Sequence, residues 1–214
     1  MLFQDREDAG MQLAAHLQSY KNHPSTVVLG LARGGVVVAH TVAKLLSLPL
    51  DVLIVRKIGA PYNPELAIGA VDETGHTILN EPLIETLGVT PTQIEAEVLA
   101  QKEIAKRRAS LYRSSRKRVA LTGKEAILID DGIATGATVE AAIWLLRLQK
   151  VKTVILAIRV AAPDSLAALS NKVDQVVCLY TPHNFQAVGQ FYNSFEQTTD
   201  EEVIRLLVKF GISP

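Results

Sequence analysis

Ile127-Leu128-Ile129-Asp130-Asp131-Gly132-Ile133-Ala134-Thr135-Gly136-Ala137-Thr138 is the stretch on which the reading of this chain turns. With Ala126 in front, four apolar residues run into two adjacent acids. A loop of small residues follows, rich in glycine and hydroxyls, and then a helical pattern. A short aliphatic run stopped by charge reads as a buried strand. N–H groups at the start of the next helix lack partners within it, and the positive end of the helix dipole lies behind them. Small side chains leave an anion room to approach, and Thr135 and Thr138 add hydroxyl donors. The string reads as a phosphate cradle. It is not a Walker A loop, because no Gly-Lys-Ser/Thr follows, and it lacks the three-glycine dinucleotide pattern.

Asp130 and Asp131 stand about one strand step before that cradle. Carboxylates so placed repel a bound phosphate unless something lies between. The vicinal hydroxyls of a ribose whose 5-phosphate sits in the loop meet this demand. Each charge-assisted hydrogen bond to the acids contributes about 1.5–3 kcal/mol. A divalent cation on the ribose relieves the repulsion further.

Outward from this segment, strands alternate with helices. Thr26–Leu31, Leu50–Val55, Ala126–Ile129, Thr153–Ile158 and Val173–Leu179 read as strands. Helical patterns cover 6–20 (capped by Asp5), the stretch holding Val38, Val42, Leu45 and Leu46, and segments near 137–149 and 163–171. Such alternation predicts an α/β fold with an open, mostly parallel sheet flanked by helices. Ligands in such sheets bind beyond the carboxyl ends of the strands. Two more strand ends carry suitable residues. In Leu31-Ala32-Arg33-Gly34-Gly35-Val36, paired glycines permit close ligand approach and Arg33 offers a forked cation. In Val55-Arg56-Lys57-Ile58-Gly59-Ala60-Pro61, two cations are expected to lie beside Arg33 as a further anion contact, or to be surface charges.

Nearly 70 residues separate Lys57 from Ala126. Ile68–Val71 and Thr77–Leu79 look like a hairpin, and Thr90-Pro91 opens a long polar helix over roughly 91–113. The block reads as an excursion within one domain. The core is then about 25–57 and 119–180, the insertion about 58–118, and a small hood comprises the N-terminal helix and about 181–214. Glu65, Asp72 and Glu73 are candidate site acids, or belong to a solvated hairpin.

The twelve-residue string resembles the 5-phosphoribosyl 1-diphosphate (PRPP) binding motif of type I phosphoribosyltransferases: a hydrophobic strand, two acids, then a Thr-Gly phosphate loop. In that family the loop after the first core strand holds pyrophosphate, a place that Leu31-Ala32-Arg33-Gly34-Gly35 fills. Asp5-Arg6-x-Asp8-Ala9-Gly10, Arg33-Gly34-Gly35, Pro64-Glu65-Leu66-Ala67-Ile68-Gly69 and Ala187-Val188-Gly189-Gln190-Phe191-Tyr192 together look like the branch called predicted phosphoribosyltransferases. The resemblance implies Mg²⁺ as cofactor and PRPP, pyrophosphate and a small-molecule acceptor as partners. Arg33, Lys57, Asp130 and Asp131 are then the catalytic candidates, with Mg²⁺ at Asp130 and Asp131 through the ribose hydroxyls or water. Gly34, Gly35, Arg56, Gly132, Ile133, Ala134, Thr135, Gly136, Ala137 and Thr138 are the PRPP-binding candidates. Pro64–Val71 falls to the loop that covers the site in that family. One position departs: hypoxanthine-guanine enzymes carry an Asp where this chain has Ala134, so a 6-oxopurine acceptor is disfavoured. Dimers are common in the family, and a homo-oligomer here is an analogy only.

The remaining features refine this picture. Four of the ten Phe and Tyr residues, Tyr180, Phe185, Phe191 and Tyr192, fall within 13 positions. Phe185, Phe191 and Tyr192 are candidates to stack on a base, or form a hydrophobic cap. Eight cations lie between Lys102 and Arg118 against one acid, Glu103. They form a solvated face, a steering field for polyphosphate or a nucleic-acid patch, the last without interleaved aromatics. Across 214 residues, Lys+Arg and Asp+Glu balance at 22 each, which argues against a broadly basic nucleic-acid binder. Cys178, alone in an apolar run, reads as a buried thiol, and the five histidines show no metal-ligand spacing. An acidic N-terminus and the lack of a long apolar run lead us to expect a cytoplasmic protein without membrane spans. Two functions remain: Mg²⁺-dependent phosphoribosyl transfer to a nitrogenous base or other nucleophile, and a PRPP- or nucleotide-sensing regulator that binds nucleic acid or a protein.

Overall fold

The computed structural model describes residues 2–114 and 117–210, apart from the Glu65 side chain. Helix α1 (Arg6–His16) opens the chain, and the Asp5 carboxylate caps it by accepting from the Asp8 N–H at 2.9 Å. Strand β1 (Thr26–Leu31), helix α2 (Gly34–Leu46) and strand β2 (Leu50–Leu53) follow. Three strands come next, β3 (Val55–Ala60), β4 (Asn63–Asp72) and β5 (Thr77–Leu79), then helices α3 (Glu81–Leu87) and α4 (Pro91–Tyr112). The second half alternates β6 (Glu125–Asp130), α5 (Ala137–Leu148), β7 (Thr153–Val160), α6 (Pro163–Ser170) and β8 (Gln175–Tyr180). Helix α7 (Asp200–Phe210) closes it.

Five parallel strands pair in the order β2-β1-β6-β7-β8. Successive side chains point to opposite faces of a strand. Val28, Ile127, Ile129 and Ile155 accordingly pack into one core with residues of α1, α2 and α7. Val27, Leu29, Leu128 and Leu156 pack into another with Val139, Ile143 and Leu146 of α5. Both faces are covered, which explains why β1 and the centre of β6 are uninterrupted aliphatic runs. The expected α/β architecture is the one the chain adopts.

The boundaries need correction. The strand expected over Leu50–Val55 stops at Leu53, and after buried Ile54 the chain enters a separate antiparallel sheet, β3-β4-β5. The reason is the ladder: β1 ends at Leu31, opposite Leu53, and Val55 pairs with Asp72 instead. The expected hairpin is present as β4 and β5, but β4 is longer and takes up Pro64–Val71 as strand. The helix expected over 6–20 ends at His16 and a 3₁₀ turn, Gln18–Tyr20, succeeds it. Helices α3 and α7 lie where none was expected. Asn80 caps the first by accepting from the Leu83 N–H, and Val203, Leu206 and Leu207 bury one face of the second.

The insertion is bolted to the parallel sheet by buried charge. The Arg113 guanidinium donates to Asp51 of β2 at 3.0 Å and to Glu73 at 3.1 Å, and Arg118 pairs with Glu73 at 3.4 Å. Asp51 and Glu73 have side chains only 2% and 5% exposed. This corrects two expectations. Glu73 is a structural acid, and Asp72 is occupied in the β4–β5 turn by Thr74, His76 and, at 3.0 Å, Gln149. Gln149 caps the end of α5 away from the cradle, so neither acid belongs to the strand-end site. The cations at 102–118 are not one solvated face either, since Arg113 and Arg118 are spent here, while Lys106, paired with Glu103, and Arg107 stay exposed. Arg116 lies outside the described residues. Among the described residues no helix is long and apolar enough to cross a membrane.

Candidate active site

Strand order reverses between β1 and β6, because α2 leads outward to β2 while α5 leads to β7 on the other side. A crevice at the carboxyl ends of two such strands is where this sheet type holds ligands. The Arg33-Gly34-Gly35 loop and the two acids face each other across it. An added Cβ on Gly34 would stand 1.9 Å from the Asp131 Oδ2, and one on Gly35 would stand 2.6 Å from the Ile129 carbonyl oxygen. Only glycines let the first loop close on the end of β6. The Ala32–Arg33 peptide bond is cis.

Asp130 Oδ1 accepts from the Asp131 N–H at 2.9 Å. Burial, and then the Asp131 carboxylate beside it, push the Asp130 carboxyl well above the usual range. Asp131 is tied from two sides. Arg6 of α1 donates from Nε to its Oδ2 at 2.8 Å, and the Tyr192 hydroxyl donates to its carbonyl at 2.7 Å. No third carboxylate, His or Cys joins these acids in a metal-holding group among the described residues.

The cradle is anchored from behind and open in front. Ile133 is buried and pairs with the chain after β7: its N–H donates to Val160 at 2.9 Å and its carbonyl accepts from Ala162 at 2.9 Å. Ser165 donates to the Ala134 carbonyl at 2.6 Å. Gly136, at φ 78°, turns the chain into α5. No side chain caps α5, so its first N–H groups are left for an anion. Ala134, Thr135, Ala137 and Thr138 are exposed, and among the described residues nothing bonds to the two threonine hydroxyls.

The cations divide. Arg33, at the uncapped start of α2, stays at the crevice with Nη1 3.9 Å from Asp200 Oδ1. Asp200 also accepts from the buried Tyr112 hydroxyl, which burial and this carboxylate hold above its usual pKa. Arg56 and Lys57 sit in β3 rather than in a loop ending a parallel strand. Arg56 turns to α4, donating to Gln101 at 2.8 Å, and its burial lowers its pKa. Alternation puts Lys57 on the other face, the side on which Val55 meets the α5 core.

The hood aromatics need a correction too. Phe191 and Tyr192 are buried, and Phe3 of the N-terminal segment pairs alongside Tyr192. The fully buried Arg159 guanidinium lies 3.4 Å from the Phe3 ring and 3.4 Å from the Tyr192 ring. Phe195 covers Tyr192 at 4.8 Å. With both faces occupied, Tyr192 has none left for a base. Phe185 is half-buried and rests on Phe191. Cys178 is half-buried rather than fully buried, with Sγ 3.5 Å from the Tyr180 carbonyl and its pKa raised by burial. The sequence assigns no chemical role to Arg159 or Phe195, and places Arg6 only in the family-like run Asp5–Gly10. For Arg159 there was a signal, one arginine inside the otherwise aliphatic strand Thr153–Val160. Arg6 and Phe195 meet only through the fold.

The model of the phosphoribosyl transferase domain matches residues 3–194. The chain is 46% identical over 206 residues to "Putative phosphoribosyl transferase Rv0571c" of Mycobacterium tuberculosis, covering 96% of this chain and 46% of that protein. It thus spans about half the length of the curated relative it matches. The crystal structure of TT1426 from Thermus thermophilus superposes with a TM-score of 0.89 at 40% identity, over 98% of this chain and 99% of that one.

Proposed function

This chain belongs to the phosphoribosyl transferase family, and from that premise we propose that it transfers the 5-phosphoribosyl group of PRPP to a nucleophile, a nitrogenous base first among the candidates, releasing pyrophosphate. The observation that carries the proposal is the closure of the Arg33-Gly34-Gly35 loop onto the Asp130–Asp131 pair, with the uncapped cradle of α5 beside it. In this reading the N–H groups and hydroxyls of Gly132–Thr138 take the 5-phosphate. Asp130 and Asp131 accept from the ribose hydroxyls. Arg33, Gly34, Gly35 and the start of α2 face the diphosphate, with Lys57 as a further cation. Positive charge grows at the ribose C1 as the diphosphate leaves, so catalysis rests on positioning and on holding opposite charges at fixed places.

Two carboxylates without a third protein ligand suit Mg²⁺, which binds through one or two carboxylates plus substrate oxygens. Bound at Asp130 and Asp131, it supplies charge neutralisation for the leaving diphosphate. Ala134 provides no general base, so the acceptor must be nucleophilic as bound or be activated elsewhere. Of the three candidate rings Phe185, Phe191 and Tyr192, Phe185 is the one open enough to meet a planar acceptor.

A screen for pyrophosphate release from Mg²⁺–PRPP, against purines, pyrimidines and other amine or hydroxyl acceptors, tests this. Release is expected with one acceptor class, and its loss in Asp130→Asn/Asp131→Asn together with PRPP affinity. Unchanged PRPP affinity of the double variant in titration calorimetry overturns the assignment. PRPP binding without release from any acceptor, with steeply salt-dependent nucleic-acid binding, establishes the sensing role instead.

A further inference from the structure

Arg6 is the least expected group at the crevice. It comes from the first turn of α1, yet its side chain is only 12% exposed and ends against the acid pair. Three contacts fix it. Nε donates to Asp131 Oδ2 at 2.8 Å, Nη1 donates to the Glu196 carbonyl at 2.8 Å, and the guanidinium lies over the Phe195 ring at 4.1 Å. A guanidinium has five N–H donors, so most of its capacity is unspent.

Those contacts place Arg6 in the wall of a hollow of about 280 Å³, whose other walls are Arg33, Gly34 and the strap at 195–198. Such a volume is below the ~300–1,000 Å³ of pockets that take a whole ligand, and suits one end of a substrate. Its charge is distinctive. Two arginines from different elements line it, with Glu196 as the one acid of the lining. A neighbouring hollow of about 290 Å³, which shares Arg6 and 196–198, is lined instead by Asp5, Glu7, Glu196 and Glu202. The segment 196–198 thus lines both an acidic hollow and a cationic one that reaches Gly34, the residue packed against Asp131.

We propose that Arg6 is a diphosphate-binding residue that bridges Asp131 to the leaving group. This rests on the PRPP reading of the site. Nε keeps Asp131 in place while the remaining N–H donors, with Arg33 opposite, hold the diphosphate in the hollow. A fixed cation then stands between the ribose-binding carboxylate and the polyanion, whose proximity is otherwise repulsive. The strap at 195–198 becomes a wall of the diphosphate seat, and Phe195 holds the guanidinium flat against it.

Three ligands separate this role from a structural one: Mg²⁺–PRPP, Mg²⁺–pyrophosphate and ribose 5-phosphate, titrated calorimetrically into the full chain. Arg6→Ala should weaken PRPP and pyrophosphate by about tenfold or more, the loss expected for charge-assisted bonds, and ribose 5-phosphate, which feels only the loss of one Asp131 anchor, by clearly less. Arg6→Lys, which keeps the charge without the fork, should fall between. Retained ribose 5-phosphate binding shows that the variant is folded. Equal binding of all three ligands by Arg6→Ala, tighter PRPP binding, or a parallel loss of all three overturns the proposal. If the unaltered chain binds neither PRPP nor pyrophosphate, the PRPP reading itself has failed.

Discussion

Asp131 is held by side chains from the two ends of the sequence, Arg6 on its carboxylate and Tyr192 on its carbonyl, while Gly34 fills the remaining approach. That crowding makes Gly34 the most sensitive small residue of the site. In Gly34→Ala the new methyl meets a carboxylate that Arg6 keeps from rotating away. We expect a stability loss of about 1–3 kcal/mol, typical of overpacking. PRPP affinity should fall with it, because Asp131 must leave its position. Thermal denaturation and calorimetry on one preparation check both, and unchanged PRPP affinity shows that the loop tolerates a side chain. Two unpartnered donors, Nε and Nη1 of Arg159, lie behind the same site. Their burial between two rings ties Phe3 and Tyr192 to β7, and with them the hydroxyl that holds Asp131.

Among the elements, the β4–β5 turn carries its own pH response. Burial pushes the Asp72 carboxyl up, but hydrogen bonds from Thr74 and His76 outweigh this and hold it below its ordinary value of 3.8. A group so shifted stabilises the fold fully above its unfolded pKa and stops doing so as pH falls through the folded one. Stability therefore contains a contribution that begins to vanish below about pH 4, and Asp72→Asn should lack it. Urea midpoints for both proteins at neutral pH and near pH 3 measure this. Curves that fall in parallel in acid rule the account out.

The elements also show what the amino-acid order made legible. The β6–cradle–α5 string and the Leu31–Val36 loop were readable because their information is local: aliphatic run, charge or glycine, helix start. The break at Ile54 was not, since Leu50–Val55 is uniformly apolar apart from Asp51 and only the length of β1 ends the pairing. Glu73 looked solvated because its burial partner Arg113 lies 40 residues beyond it, and Asp72 because Gln149, which bonds it in the fold, lies 77 residues on. Phe191 meets Tyr180 of the edge strand β8, and Phe185 rests on Phe191. Nothing local told that Tyr192 would be spent on Arg159 and Phe195. Helix α7 had a readable stripe in Val203, Leu206 and Leu207 that the grouping of 181–214 as hood obscured.

At the scale of the whole molecule, substrate binding should appear as global stability. The strand-end site touches α1, α2, β6, the cradle and the strap, so ligand free energy is shared across both cores. Mg²⁺–PRPP at about 100 times its Kd should add about 2.7 kcal/mol. For a chain of this size that raises Tm by about 5–10 °C. Asp130→Asn/Asp131→Asn should show no such rise, and an equal shift in that variant places the ligand elsewhere.

The bond from Arg6 to the Glu196 carbonyl spans 190 positions. During synthesis at about 5–20 residues per second, the N-terminal turn waits some 10–40 s for its partner to leave the ribosome. Through that interval the parallel strands from β1 to β8 can pair behind it and Arg6 can already meet Asp131, but its Nη1 has no carbonyl to donate to. The crevice wall that 195–198 supplies is thus made after the sheet, and a chain halted between β8 and that segment has its strands paired while Arg6 lacks its second anchor. Vectorial synthesis builds the parallel scaffold before this wall of the crevice.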